Sequence, residues 1–286
     1  MNRKNLNKLI EDVLAIEAEE AKKAGALGYI GRALVQATLP HSKIIGNVFN
    51  RSNGFFKLSI TTNLENGLPY GSIPRLLLAW MSTEATKTKS RHLILGHTLS
   101  SFMAKIDLVP KSGQWGTVAR LKDQMKKLFA ASISCTYDDG NHWAIQNIAP
   151  ISKANLWWDP LDISRTKPFQ STVTLNEDFF NEIVNSPVPV DLRVLKSIAR
   201  SPLAIDIYSW LTYRISYLRH KTSINWSLLQ LQFGSGYPQT PQGLRNFKKA
   251  FIRELKKINL FCQGINVEVN QSQLVLKPSK PHISKL

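Results

Sequence analysis

Six cations sit in one short stretch, TPQGLRNFKKAFIRELKKINLF, from Thr240 to Phe261: Arg245, Lys248, Lys249, Arg253, Lys256 and Lys257. Guanidinium and ammonium groups at this density bind phosphate oxygens by charge-assisted hydrogen bonds. The chemistry on offer is recognition of a polyanion, with no bond made or broken. Leu244, Phe247, Phe251, Leu255 and Ile258 recur at three- and four-residue steps and form one apolar helical stripe. Thr240 suits the N-cap and Pro241 the first helical position. Gln242, Arg245, Asn246 and Lys249 lie near the helix start, where base edges are reached; Arg pairs with guanine, and Asn or Gln with adenine. A solvated surface helix shows the same two-faced pattern, so the neighbours decide. Upstream, INWSLLQLQFG predicts a short helix and SGYPQ a turn. Downstream, FCQGINVEVNQSQLVLKP predicts two strands joined near Asn270. Helix, turn, basic helix and hairpin is the order of a winged helix-turn-helix.

A second basic helix is predicted from Thr117 to Ala130. Its apolar stripe is Val118, Leu121, Met125 and Phe129, and its cations are Arg120, Lys122, Lys126 and Lys127. These cations spread along the whole helix, and the Gly116-Thr117 start offers few base readers. Phosphate contact is the expected role. SISCTYDDGNHWAIQNI follows as a hairpin turning at Asp139-Gly140 and is the expected first wing. The two stripes map onto one another at an offset of 126, Arg91-His92 onto Arg219-His220 at 128, and Cys135 onto Cys262 at 127. The expected fold class is α+β, two tandem winged helix-turn-helix domains related by an internal repeat.

The elements around them are assigned as follows. Residues 1–43 form an N-terminal helical arm whose Leu6, Leu9, Val13 and Ile16 pack either on their own domain or in a dimer. Residues 44–160 form the first winged-helix domain, for dimerisation or phosphate contact. Residues 168–286 form the second, the main DNA reader. WWDPLDISRTKPFQ, 157–170, is the expected boundary, which puts the strand STVTL in the second domain. PRLLLAWMSTEATK and SPLAIDIYSWLTYRISYLRH are strong, largely core helices.

Lys plus Arg number 37 against 20 for Asp plus Glu, a net charge of +17, which favours nucleic acid over an acidic membrane surface. No apolar run is long enough to span a bilayer, and Glu11 and Asp12 interrupt any signal-peptide core, so a cytoplasmic protein is expected. The two cysteines form no C-x-x-C pair and read as buried thiols. The six histidines show no metal-binding spacing and none of the His-hydrophobe-His pattern of a nickase. GSGYPQTPQG lacks the lysine of a Walker A loop. No catalytic residue, metal or cofactor is expected, and the reading is a non-enzymatic DNA-binding protein. A winged-helix transcriptional repressor and a nickase or relaxase remain as alternatives.

Three blocks carry a family resemblance: GLPYGSIPRLLLAWMSTEA (67–85), LGHTLSSFM (95–103) and GTVARLKDQMKKLFAASIS (116–134). They resemble the RepA-type replication initiators of bacterial plasmids, and the resemblance covers roughly residues 44–280. It implies two winged-helix domains, binding to origin repeats (iterons) in double-stranded DNA, and opening of the origin. It also implies the host initiator DnaA and the replicative helicase as partners, and a homodimer that represses the protein's own promoter.

Overall fold

LLLAWM, in the middle of the helix Ser72–Thr88, is apolar on every face, and such a stretch must be buried on every side. In the computed structural model, which describes residues 3–32, 35, 38–65, 67–96, 98–156 and 171–283, this helix lies between two hydrophobic cores. Leu77, Leu78, Trp80 and Met81 enter the first core, and Leu76 and Ala79 the second. The elements in chain order are α1 (Arg3–Ala18), β1 (Leu27–Gly31), β2 (Val48–Asn53), β3 (Phe56–Thr62), α2 (Ser72–Thr88), β4 (His92–Gly96), α3 (Leu99–Lys105) and α4 (Thr117–Phe129). Next come β5 (Ala131–Asp138), β6 (Trp143–Ile148), β7 (Ile151–Asn155), β8 (Ser171–Leu175), α5 (Glu177–Asn185), β9 (Pro187–Asp191), α6 (Leu192–Ile198) and α7 (Pro202–Tyr217). The chain closes with β10 (Thr222–Asn225), α8 (Trp226–Phe233), α9 (Pro241–Phe261), β11 (Val267–Val269) and β12 (Gln273–Leu276).

The internal repeat is visible in sheet topology. One three-stranded sheet has the order β4-β8-β7 and another the order β10-β12-β11, so the last strand lies in the middle of each. Each sheet follows the same series: a buried helix (α2, α7), a strand, a short helix (α3, α8) and a basic helix (α4, α9). These are two tandem winged helix-turn-helix units in an α+β chain.

Three details differ from the sequence-based expectation. The hairpin β5–β6 forms, with its turn beside Asp139, but it is not the first wing. It pairs with β2 and β3 in a four-stranded sheet of order β2-β3-β5-β6, and the equivalent of the wing is β7–β8. Alternation in β5 reports that Ile133 and Cys135 point into a core, and says nothing about which strand lies beside it.

The second difference concerns STVTL. As β8 it pairs with β4, and Val173, Leu175, Phe179 and Ile183 lie in the first core. The second core takes up from Val188, so the division of the two cores falls near residue 186 and not within 157–170, a segment outside the described residues. Third, Cys135 lies in β5, whereas Cys262 caps the C-terminus of α9, so these two are not equivalent.

Helix α1 packs on the second core through Leu9, Val13 and Ile16. Its C-terminal carbonyls are held by Arg193, which donates to Ala15 O at 3.2 Å and Glu19 O at 2.8 Å. Among the described residues no helix is long and apolar enough to cross a membrane.

Candidate nucleic-acid interface

Helix α9 is set in place by its buried stripe. Phe247, Phe251, Leu255 and Ile258 are in the second core, and Phe251 meets Trp226 and Phe233 edge-on at 5.6 and 5.8 Å. The start of the helix is fixed twice. Thr240 Oγ1 accepts from the Gly243 amide at 3.1 Å, an N-cap bond that removes one orphan donor. Gly243 is obligatory here, because a Cβ would collide with the Pro238 carbonyl of the preceding turn. Gln230 Nε2 donates to that same carbonyl at 2.9 Å and ties α8 to the turn. The helix-turn-helix angle is therefore set by packing and hydrogen bonds on both sides.

The opposite face of α9 is cationic, and its charges fall into three groups. Arg245, Lys249 and Lys256 are exposed and have no ion-pair partner among the described residues. With Ile252 they fall at steps of four, three and four, one straight stripe along the helix. Arg253 and Lys257 are also exposed, but they flank the buried Glu254, at 2.8 Å to Oε1 and 2.9 Å to Oε2 respectively. Their charge first neutralises that carboxylate, which burial would otherwise make costly.

Lys248 departs from its expected role. Its Nζ donates to Asn270 O at 3.0 Å and Gln271 O at 2.6 Å, and lies 5.1 Å from the centre of the Trp226 ring. Trp226 Nε1 also donates to Asn270 O, at 3.1 Å. Lys248 thus fastens the β11–β12 turn to α9 instead of standing free for a phosphate. At the helix start, Gln242 Nε2 donates to Asn246 Oδ1 at 2.9 Å, so two of the four base-reading candidates satisfy each other in the unbound protein.

Helix α4 carries fewer available cations than the sequence suggests. Arg120 and Lys126 are exposed, and Lys122 is half-buried. Lys127 is buried, bonded to Asp123 Oδ2 at 2.9 Å and 5.3 Å from the Tyr70 ring centre. It belongs to the packing between α4 and the start of α2 and not to a phosphate-binding face. The sequence period marked Lys127 as off the apolar stripe; it could not show that Tyr70 covers that side of the helix.

The thiols are chemically quiet. Burial pushes Cys135 up to about 12 and raises Cys262 further, so neither is a nucleophile near neutral pH.

A family model described as plasmid-encoded RepA protein matches residues 68–227. Two solved structures share the fold. The crystal structure of RctB domains 2-3 superposes with a TM-score of 0.53 at 14% identity, covering 85% of this chain and 96% of that one. The selenomethionine form of domains 2 and 3 of RctB gives 0.54 at 14% identity, covering 87% and 96%. No curated protein matches the sequence.

Proposed function

Given that the chain belongs to the plasmid-encoded RepA protein family, a family of replication initiators, we propose that it binds repeated sequences at a plasmid origin with α9 as the reading helix. The observation that carries this reading is the stripe of Arg245, Lys249 and Lys256, unpaired among the described residues on a helix whose other face is locked in a core. Arg245, with Gln242 and Asn246 once their mutual bond opens, stands at the helix end that meets base edges. Lys249, Arg253, Lys256 and Lys257 supply phosphate contacts, and Lys248 sets the wing against the same groove. Arg120 and Lys126 on α4, with Lys122 beside them, add a second contact that positions without specifying.

The two units are joined through α2, so one duplex docked on both would be held as by a single rigid clamp. The same surface serves repression of the gene's own promoter. Opening of the origin then calls for the host initiator DnaA and the replicative helicase, with a homodimer as the repressing form. The protein acts by binding, without catalysis, in the bacterial cytoplasm. The test is a plasmid maintenance assay with the gene and its flanking DNA, beside gel-shift titration of that DNA. Wild type should sustain the plasmid and bind the flanking repeats, and Arg245→Ala should lose both. Maintenance by a protein that cannot bind those repeats would refute the assignment.

A further inference from the structure

Beside the start of α4 and away from α9, a cleft of about 340 Å³ opens at the junction of the two units. Its walls come from four places: His41 and Lys43 before β2, Gly71 to Ile73 at the start of α2, Arg120 on α4, and Arg200 and Pro202 at the start of α7. Lys43, Arg120 and Arg200 are exposed, and none has an ion-pair partner among the described residues. Asp123, the one acid in the lining, is already held by Lys127 and Gln124. His41 spends its Nε2 on Asp206, at 2.7 Å.

The start of α2 is part of the lining. Gly71 precedes the 17-residue helix α2 and makes no side-chain cap bond, and the first-turn residues Ser72 and Ile73 belong to the cleft lining. Uncapped amides carry the positive end of the helix dipole and favour an anion. Three cations contributed by separate segments meet in one concave site beside an uncapped helix start, and the single acid there is already paired. That composition suits a tetrahedral oxyanion.

We infer that this cleft seats a phosphate of the DNA backbone, held by Lys43, Arg120 and Arg200 where the two units meet. The inference rests on the DNA-binding reading and adds Lys43 and Arg200 to the residues that touch the duplex. A duplex is favoured over a free nucleotide because Arg120 belongs to α4, the helix already assigned to backbone contact. The lining's two aromatic rings are also both engaged, Tyr70 by Lys127 and His41 by Asp206, which leaves no free aromatic platform for a base among the described residues. The contact would fix the register of the duplex against both units at once.

The experiment uses the full chain with both exposed cations replaced, Lys43→Gln with Arg200→Gln, and leaves Arg120 in place. Affinity for a duplex from the replicon's own origin and for a scrambled duplex is measured across salt, with Arg245→Ala as a parallel variant. Freeing one phosphate from the protein should make the log–log salt slope shallower by about 0.9. Between 50 and 200 mM salt the double variant should then lose roughly threefold to fourfold less affinity than wild type. The origin-to-scrambled preference should stay as in wild type. An unchanged slope, with Arg245→Ala still impaired, would overturn the cleft assignment and leave the reading helix standing. If Arg245→Ala were also unimpaired, the DNA-binding reading itself would fail. Wild-type binding of ATP that the double variant loses, with its DNA slope unchanged, would make this a nucleotide site and overturn the inference.

Discussion

Arg75 and Asp206 face each other in a two-pronged ion pair across the junction of the two units, Nε to Oδ1 at 2.6 Å and Nη2 to Oδ2 at 2.7 Å. Arg75 spends its remaining donors on the carbonyls of Leu39, Pro40 and Gly71, at 2.7, 3.2 and 2.7 Å. Burial opposes the charge on Asp206, but Arg75 and His41 outweigh it and hold its carboxyl below the usual range. All five N–H donors of Arg75 and both oxygens of Asp206 are matched, which is the condition under which a buried pair is tolerated. Removing one partner leaves an uncompensated charge. Arg75→Ala or Asp206→Ala should therefore cost about 3–5 kcal/mol in denaturant unfolding. Arg75→Lys should recover little, because an ammonium cannot make the fork. Paired apolar replacement, Arg75→Met with Asp206→Leu, should cost less than either alanine variant. Equal losses in all four would mean that the site depends on packing alone.

This knot also shows where sequence reading stops. The block GLPYGSIPRLLLAW carries the family resemblance, and the structure gives a physical reason for its composition: α2 is apolar all round because both cores close on it. Arg75 is a polar residue in that block, and its partner lies 131 positions away. Helix periods report local burial, so α4, α7 and α9 were legible. The pairing of β4 with β8 and of β3 with β5 depends on strand neighbours that no local pattern encodes. The same holds for β9, whose Pro187 and Pro189 read as a break. It pairs with β1 at Gly31 and Tyr29, a two-stranded ribbon in which each strand has an open edge and the prolines' missing donors cost little. In the candidate site, charge was legible and availability was not. Lys127, Lys248 and Arg253 are as cationic in sequence as Lys249, and only tertiary partners separate them.

Lys248 and Lys249 are adjacent and should behave differently. Lys249→Ala removes an unpaired surface cation and should make the salt slope of duplex binding shallower by about 0.9. Lys248→Ala releases the turn at Asn270 and Gln271 and exposes one face of Trp226. Its effect should be weaker binding with a slope close to wild type, together with faster amide exchange in residues 267–276. If Lys248→Ala lowered the slope as much as Lys249→Ala, its ammonium would be a phosphate ligand and not a strut.

Asp191 predicts an acid limit. Burial raises its carboxyl, but the His282 imidazole 3.9 Å away and the hydrogen bonds from Arg193 outweigh this and bring it down to about 2. A carboxylate depressed in the fold stabilises above its unfolded value near 4, and that contribution is lost as pH falls through the folded value. The window is therefore about pH 4 down to about pH 2, and the size on the order of 2 kcal/mol. Asp191 joins the N-cap of α6 to Arg193, which in turn holds the end of α1. Acid should then loosen α1 from the second unit. Melting curves from pH 6 to 2 should steepen below pH 4 in wild type, and Asp191→Asn should melt lower at pH 6 with a flatter acid dependence. Parallel curves would remove Asp191 from the account.

The last prediction separates charge from position on α4. If both units dock on one duplex, on the order of 6–10 phosphates are neutralised, and affinity falls roughly 10³–10⁵-fold between 50 and 200 mM salt. A fragment starting at 168 is a poor test of the first unit's share, since β8 and α5 belong to the first core and would be stripped of their partners. Substitution in the full chain avoids this. Arg120→Gln with Lys126→Gln removes two exposed cations and should make the slope shallower by up to about 1.8, while preference among sequences stays fixed. Lys127→Gln removes the same charge from a buried site beside Asp123 and Tyr70. It should lower the unfolding midpoint and leave the slope unchanged. Should the exposed pair leave the slope untouched, the first unit does not meet DNA through α4, and the duplex is held by the second unit alone. Should Lys127→Gln change the slope without changing stability, that ammonium would have to leave Asp123 for a phosphate on binding.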